Sequence, residues 1–433
     1  MKVQQITVGG FTNIDTVCLS LSNICALLAY NNYGKSNVLS AIIFGLDYMK
    51  ATAEERENKM MTCSGCIPIN KTTAGKDFLF KIDVEVACKG RNNLLSYEYR
   101  FAWPQQQKAP HITYESLKVK NDEETKTKTY IKREGNNCLY LSSATGRCST
   151  HLKVDDSQLG LNKLSHYDNL FYVDLLKELL NVRIVETDSL ADPKSFFRTI
   201  DVSRGRAAFS GGVNSIPDFA SSAYYMYTLK GSDPCKYSLF SDAVSQLIPS
   251  IEDFEPIKID LKTQVARFDG ESNIPYQLPE FIYDIRVKEK NLNQQVTIDR
   301  LSSGTKRIFY LLLMVVAAEI NKVPLIFIEE IENSIHPSLF QRLLSTIKTL
   351  AGECQIILTS HSPYLLQYLK PELMYVGIPN SRDVAMFKKI KTSKIKTIVR
   401  EASMSDMSVG DYLFDLLQDI NSPTDDVATK YFE

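Results

Sequence analysis

Hydrophobic and polar positions alternate along the first thirty residues of the chain. Residues 3–8 and 15–21 follow a two-residue period, and residues 24–28 are apolar throughout, as is typical of strands. Residues 36–49 then place apolar side chains at helical spacing. The pattern therefore predicts a strand, a short polar loop and a helix in direct succession.

The middle of the chain changes character twice. Residues 51–75 are polar and interrupted by glycine and cysteine, which predicts a mobile surface segment. Residues 78–141 alternate again and predict antiparallel hairpins that form a β-layer. Residues 155–255 predict an inserted, mostly helical subdomain, with helices at 176–180 and 238–248 and a loop at 205–212.

Strands and helices alternate in the last third of the chain. We predict strands at 325–328, 355–358 and 373–376, and helices at 338–350, 363–369 and 409–420. Alternation of buried strands with helices is typical of a parallel sheet, so the fold class is α/β. The predicted division has an N-terminal lobe, a helical insertion, a C-terminal lobe and an extension, at residues 1–150, 151–287, 288–380 and 381–433.

Composition excludes several classes of protein. The 433 residues are 44% hydrophobic and 23% charged with a net charge of −1, as is typical of a globular chain without a global basic field. No apolar run reaches the length of a membrane span, so we expect no membrane contact and a cytoplasmic location. One basic run, at residues 388–400, predicts either local binding of DNA or of an acidic partner or, as we favour, a solvated strand and turn.

Two pairs of residues have the spacing of zinc ligands. Cys63 and Cys66 form one pair, and Cys148 and His151 form the other. Together they would supply four ligands to one zinc ion. The alternative, two unrelated pairs in loops, is favoured because the pairs lie far apart in the sequence.

A phosphate-binding loop is predicted between the third strand and the first helix. Successive N–H groups there would surround a phosphate at the start of the helix. Lys35 would reach the β- and γ-phosphates, and the Ser36 hydroxyl would hold Mg²⁺. Ala29 stands where the usual pattern has glycine. The predicted nucleotide-binding residues of this loop are Asn31, Asn32, Tyr33, Gly34, Lys35, Ser36 and Asn37.

Two carboxylates and a histidine follow buried strands downstream. Glu329 and Glu330 end the strand at 325–328, where carboxylates are costly unless they have a role. We predict that Glu329 binds Mg²⁺ and that Glu330 is the general base for a water molecule. His361 follows the next strand and is predicted to sense the γ-phosphate or to orient the water. The alternative is a solvated strand end and a turn histidine.

A second anion site is predicted just before the long helix that contains residues 307–318. Ser302 is its predicted N-cap, and Ser303 and Gly304 complete a positive helix end. This site is separate from the phosphate loop. Two half-sites on one chain are expected when two copies complete each other head to tail. The alternative is an ordinary capped helix.

These motifs together resemble an ABC-type ATPase of the RecF, SMC and OLD group. The resemblance lies in residues 29–37, 301–307, 327–337 and 358–363. It implies an ATPase head with a P-loop sheet of mixed and parallel strands, an antiparallel β-layer and an inserted helical subdomain. It also implies ATP and Mg²⁺ as ligands, with Ser302 and Gly304 touching the γ-phosphate held by a second copy.

The stand-alone ATPases of bacterial antiphage systems of the Septu and PARIS types are similar in their motifs. This resemblance implies a homodimer or larger homo-oligomer that hydrolyses ATP and controls a separate effector protein, a nuclease or a toxin. Two alternatives stay open. One is a RecF-like ATPase of DNA repair or maintenance that binds DNA directly. The other is an ATP-binding scaffold with slow hydrolysis. This alternative is indicated by Ala29 and Glu329, which depart from the usual residues of these motifs.

Overall fold

Two compact units make up the chain. The computed structural model describes residues 1–61, 69–104, 109–122, 126–187, 217, 221–260, 281–362, 365–378, 384–418 and 430–432. Unit 1 comprises Met1–Ile184 and Ile357–Glu433, and unit 2 comprises Val185–Ile356. Within the described ranges, no helix combines the length and the apolar character needed to cross a membrane. The four-part division by sequence stays a prediction.

An eight-stranded antiparallel sheet forms the larger layer of unit 1. Its order is β2-β1-β4-β5-β6-β7-β8-β9. These strands and the separate β3 are β1 Lys2–Phe11, β2 Ile14–Ser20, β3 Ile24–Leu28, β4 Phe78–Cys88, β5 Arg91–Ala102, β6 His111–Asn121, β7 Lys128–Glu134, β8 Asn137–Leu141 and β9 Cys148–Leu152. The order matches the antiparallel hairpins predicted from the alternation.

The first helix, α1 (Lys35–Lys50), packs closely against this layer. Buried side chains alternate along β4, so Phe78, Phe80 and Ile82 all lie in the core. A Cβ added to Gly45 of α1 would lie 2.1 Å from the Phe80 ring. The Tyr99 hydroxyl donates a hydrogen bond to the Gly45 oxygen at 2.7 Å. The layer thereby fixes the helix that begins at the phosphate loop.

A second sheet of unit 1 contains β3. Its strands in this unit are ordered β15-β3-β16-β17, with β3 and β16 parallel and β17 antiparallel to β16. The added strands are β15 Gln355–Ser360, β16 Met374–Gly377 and β17 Phe387–Lys389. The boundary between the units falls within β15. The remaining helices of unit 1 are α2 Ala53–Met61, α3 Gly160–Leu164, α4 Val173–Leu180, α9 Leu365–Tyr368, α10 Ile395–Met404 and α11 Val409–Gln418.

Residues 53–61 were predicted to be part of a mobile surface segment, and this was wrong. They form α2, which buries Arg56 and Met60. The Arg56 guanidinium donates hydrogen bonds to the Ala51 and Ser157 oxygens, at 2.6 and 2.7 Å. Hydrophobic periodicity does not reveal a helix that is stabilised by a buried charged side chain such as Arg56. Residues 62–68, like the predicted loop at 205–212, lie outside the described residues.

Glu115 of β6 ties the β-layer to the start of α3. The carboxylate is fully buried and accepts hydrogen bonds from the N–H groups of Gly160 and Leu161, at 2.7 and 2.9 Å. The Tyr97 hydroxyl also donates to it at 2.9 Å. Burial raises the pKa of Glu115, while these donors and the nearby Arg133 act in the opposite direction.

Unit 2 combines helices with a small antiparallel sheet ordered β11-β12-β13. Its strands are β10 Ile184–Thr187, which begins in unit 1, β11 Ile251–Asp260, β12 Phe281–Glu289, β13 Val296–Thr297 and β14 Leu325–Ile328. Its helices are α5 Ser222–Ser232, α6 Pro234–Leu247, α7 Ser303–Ile320 and α8 Pro337–Leu350. The helices predicted at 176–180 and 238–248 are present as α4 and α6, whereas β11 was not predicted.

Helix α7 forms the core of unit 2. Every residue from Lys306 to Ala318 is buried, as expected for a helix surrounded by other elements. The Phe309 ring packs edge-on against Phe240 of α6 and Phe254 of β11, with centroids 5.3 and 4.6 Å apart. This packing fixes the start of α7, where the second predicted anion site lies.

Candidate functional site

The phosphate loop lies between a buried strand and a helix, as predicted. All five residues of β3 are buried, and α1 begins at Lys35. Gly34 caps α1 with φ of 119°, and a Cβ there would lie 2.8 Å from the Asn13 side-chain oxygen. A side chain at this position would be strained and crowded, so the turn requires glycine. An α-helix leaves its first N–H groups without intrahelical acceptors, and these groups attract anions.

Lys35 is held by the loop that precedes it. Its side chain is only 6% exposed, and Nζ donates hydrogen bonds to the main-chain oxygens of Ala29 and Tyr30, at 2.8 and 2.9 Å. The ammonium is thus placed at the mouth of α1. Ser36 follows with an exposed side chain in the first turn. This donor set suits a phosphate with its magnesium ion.

The other loop residues are either exposed to solvent or linked by hydrogen bonds to Asn13. Asn31 and Asn32 are exposed, and Asn32 has a positive φ of 61°. Asn37 donates to the Asn13 side-chain oxygen at 2.8 Å, and Asn13 donates to the Tyr33 oxygen at 3.0 Å. Asn13 therefore joins the loop to the helix. From the sequence alone, Asn13 is only a residue type that is common in turns.

His361 lies beside the phosphate loop in unit 1. It directly follows β15, whose last residue, Ser360, accepts a hydrogen bond from the Ala29 N–H at 3.3 Å. The His361 side chain is exposed. The structure thus brings this predicted residue to the strand end next to the loop.

Two tyrosines of the loop are anchored by the C-terminal part of the chain. The Tyr30 hydroxyl donates to the Phe414 oxygen of α11 at 2.5 Å, and the two rings pack edge-on at 5.2 Å. The Tyr33 ring packs against Phe387 of β17, with centroids 5.5 Å apart. These anchors were not predicted from the sequence. The signal that could have indicated them is the presence of two large side chains, Tyr30 and Tyr33, in a loop that small residues could form.

The predicted carboxylates end β14 in unit 2. The four residues of β14 are buried, and the side chains of Glu329 and Glu330 are half-buried. Glu330 has a φ of +43°, a left-handed conformation that is uncommon for a residue with a side chain. Its main-chain oxygen accepts a hydrogen bond from the Asn333 N–H at 2.8 Å. The chain therefore turns sharply at Glu330 and continues into the segment 331–336.

The predicted N-cap of α7 is confirmed. The Ser302 hydroxyl accepts a hydrogen bond from the Thr305 N–H at 3.1 Å, and Ser302 and Ser303 are exposed. A Cβ added to Gly304 would lie 2.3 Å from the Ser334 oxygen. Gly304 thus allows the start of α7 to touch the turn that follows Glu330.

The predicted zinc ligands divide between described and undescribed parts of the chain. Cys63 and Cys66 lie outside the described residues. Cys148 and His151 lie on β9 rather than in a loop. The Cys148 thiol is half-buried and donates to the Leu139 oxygen at 3.4 Å, whereas His151 is exposed. Among the described residues, no group of three or more His, Cys, Asp or Glu side chains is placed to hold a metal ion.

Comparison with known proteins defines the fold. A solved Smc head bound to the C-winged helix domain of ScpA is 14% identical, and the match covers 92% of this chain and 100% of that chain with a TM-score of 0.50. The fold is that of an SMC head. The predicted α/β head fold is therefore confirmed.

Two further solved structures are similar. An SMC head domain from Thermotoga maritima is 10% identical, with coverage of 90% of this chain and 100% of that chain and a TM-score of 0.41. An Smc head domain with an extended coiled coil, bound to the C-terminal domain of ScpA derived from Pyrococcus furiosus, is 12% identical. Its coverage is 93% of this chain and 99% of that chain, and its TM-score is 0.42. No curated protein matches the chain.

One family model matches a segment in the second half of the chain. Residues 236–367 match the family described as "AAA domain, putative AbiEii toxin, Type IV TA system". The matched segment contains Ser302–Gly304, Glu329, Glu330 and His361, whereas the phosphate loop lies before it. The match covers less than a third of the chain, so it marks a similarity of this segment to the family.

Proposed function

We propose that this chain binds and hydrolyses ATP. The observation that carries the proposal is the position of the Lys35 ammonium, which is buried and held by two loop oxygens at the start of α1. A strand, a loop with glycine at its last turn and a helix beginning with Lys35 and Ser36 form a phosphate site. The matched AAA-type segment supplies independent support.

Each predicted residue then has a role in the reaction. Lys35 neutralises the β- and γ-phosphates, and Asn31–Gly34 surround them with main-chain N–H groups. Ser36 and Glu329 would hold Mg²⁺, which when bound supplies charge neutralisation at the phosphates. Glu330 accepts the proton of the attacking water, whose oxygen bonds to the γ-phosphorus while the bond to the bridging oxygen breaks and ADP leaves. His361 orients that water or contacts the γ-phosphate.

The proposed functional unit is at least a homodimer. Ser302, Ser303 and Gly304 stand at the positive end of α7, and Ser302 and Ser303 are exposed. We assign this helix end to the γ-phosphate of ATP held by a second copy. The resemblance of residues 301–307 to ABC-type ATPases, which implies that Ser302 and Gly304 touch the γ-phosphate held by a second copy, supports the assignment.

We further propose that ATP binding and hydrolysis control a separate effector protein in antiphage defence, a nuclease or a toxin. The matching family description names a toxin and a toxin–antitoxin system. One similar Smc head is described in complex with a domain of ScpA, a separate protein, so a head of this fold can engage a partner chain.

A RecF-like role in DNA repair or maintenance is the second candidate function. The segment 388–400 carries Lys388, Lys389, Lys391, Lys394, Lys396 and Arg400 without an acidic residue. It forms the end of β17, a turn and the start of α10, and Lys396 and Arg400 are exposed. Salt-sensitive binding of the purified chain to DNA, lost when Lys388–Lys396 are neutralised, would favour this function.

Steady-state phosphate release and equilibrium nucleotide binding test the proposal. We expect Lys35→Ala to abolish nucleotide binding, and Glu330→Gln to bind ATP but turn over about 10²–10⁴-fold more slowly. Lys348→Ala and Glu353→Gln, at exposed positions, are the matched controls. Absence of nucleotide binding by the unmodified chain would overturn the proposal. Binding without turnover would favour the scaffold, and full turnover by Glu330→Gln would exclude Glu330 as the base.

A further inference from the structure

Arg307 of α7 is a buried cation with main-chain partners. Its side chain is 3% exposed, and one terminal nitrogen donates to the oxygens of Glu329 and Glu330, at 2.7 Å each. Within the described residues, its Nε has no hydrogen-bond partner. Burial lowers the pKa of Arg307, and the carboxylates of Glu332 and Glu330 oppose this. A guanidinium stays charged in proteins, so its burial demands compensation.

The conformation of Glu330 makes this contact geometrically possible. Successive carbonyl groups of an extended strand point to opposite sides, so one nitrogen cannot reach both. The positive φ of Glu330, +43°, turns two successive carbonyls toward the same nitrogen. A left-handed residue other than glycine is strained and persists only where its surroundings enforce it. The two carbonyl groups of this strained backbone point toward the Arg307 guanidinium.

The same helix contacts the other end of the turn. Gly304, one turn before Arg307, approaches the Ser334 oxygen too closely for any side chain. Between these contacts, the N–H of Asn333 donates to Glu330 and the N–H of Ile335 donates to Glu332, at 2.8 and 3.1 Å. The first turns of α7 therefore brace both ends of the segment 330–334.

We propose that Arg307 is a positioning residue that sets the backbone, and hence the carboxylate, of Glu330 for catalysis. The inference rests on the proposed function, because it gives Glu330 its role as base. It adds a second role for α7. The start of α7 is assigned to the ATP of a second copy, and Arg307 of the same helix fixes the base, Glu330, of its own copy. Arg307 itself touches main-chain oxygens and has no contact assigned with the nucleotide.

Substitution of Arg307 tests the proposal. Arg307→Met keeps much of the side-chain volume but removes every donor, and Arg307→Lys keeps the charge with a different donor geometry. A displacement of a catalytic group by about 1 Å can cost about 10²-fold in rate. We expect Arg307→Met to lower kcat by about 10²-fold with KM for ATP and the nucleotide Kd within about twofold. Arg307→Lys is expected to be intermediate.

Arg300→Met is the matched control, because Arg300 is exposed three residues before α7 begins. It should leave kcat, KM and thermal unfolding unchanged. Unchanged kcat in Arg307→Met would overturn the proposal. Equal losses in nucleotide binding and kcat would also overturn it, since a general loss of structure explains them. If Arg307→Met does not fold, Arg307→Lys decides by the same kcat and KM criterion.

Hydrogen exchange separates this inference from the proposed function. In the unmodified chain we expect ATP to increase protection of residues 329–335, and in Arg307→Lys to increase it less. If the unmodified chain binds ATP without turnover, this difference still tests Arg307, and equal protection overturns the inference alone. If it binds no nucleotide, the proposed function and the inference fail together.

Discussion

The Tyr33 hydroxyl donates a hydrogen bond to the main-chain oxygen of Ile378 at 2.5 Å. It also accepts one from the Met386 N–H at 3.0 Å. Tyr33 belongs to the phosphate loop, and Ile378 directly follows β16, so these contacts join sequence positions 345 and 353 residues apart. The shape of the loop therefore depends on the part of unit 1 that comes last in the chain.

Tyr33→Phe is expected to weaken nucleotide binding. Loss of hydrogen bonds of this kind costs about 1 kcal/mol of free energy. Here the loss would make the phosphate loop less ordered. The Kd for ATP should rise by up to about fivefold, as measured by titration calorimetry. Tyr167→Phe, at a 39% exposed tyrosine of the same unit, is the control and should bind ATP normally. An unchanged Kd in Tyr33→Phe would mean that the loop keeps its shape without this anchor.

Gly304→Ala is expected to destabilise unit 2. The added methyl would lie 2.3 Å from the Ser334 oxygen, so the helix or the turn must move. Overpacking of this kind costs about 1–3 kcal/mol. Thermal unfolding and hydrogen exchange of residues 330–335 report the change. Gly231→Ala is the control, because an added Cβ there meets no atom within 4 Å. An unchanged thermal unfolding transition in Gly304→Ala would show that the turn at residues 330–335 can move aside without loss of stability.

Glu115 predicts a pH dependence of stability. Because burial raises its pKa above the ordinary value of 4.5, the native state takes up the proton at higher pH than the unfolded chain does. The contribution of this group to the free energy of unfolding therefore rises as the pH falls from the raised pKa to 4.5. Below 4.5 it becomes constant.

Urea unfolding of the unmodified chain and of Glu115→Gln measures this contribution. We expect the free energy of unfolding of the unmodified chain, minus that of Glu115→Gln, to increase as the pH falls through that interval. Glu134→Gln, at an exposed position, should follow the unmodified chain at each pH. A difference that is constant with pH, or that decreases toward acid, would contradict the raised pKa.

Local patterns were sufficient to predict much of the fold. The strand, loop and helix around Lys35 follow from an apolar run, a glycine and helical spacing, all within thirty residues. The alternation of β4 and β5 fixed their buried faces in the same way. Ser302 was recognisable as an N-cap because a serine directly precedes a long apolar helix.

Other elements lack such a pattern. β11 contains Pro256 and several acidic residues, and its pairing with β12 shifts register between Ile251 and Asp253, so no clean alternation marks it as a strand. Arg307 and Tyr33 looked like ordinary residues of their motifs. Their roles depend on main-chain oxygens brought to them by tertiary packing, which no local pattern encodes.

Gly377 and Ala29 form a complementary pair across neighbouring strands. A Cβ on Gly377 would lie 2.6 Å from the Cβ of Ala29 and 2.6 Å from the Tyr33 ring. The methyl group that departs from the usual loop pattern thus occupies room left open by a glycine 348 positions later in the printed chain. The two positions therefore form one packing unit. A graft of this loop into another head would carry its shape only if the distant glycine moved with it.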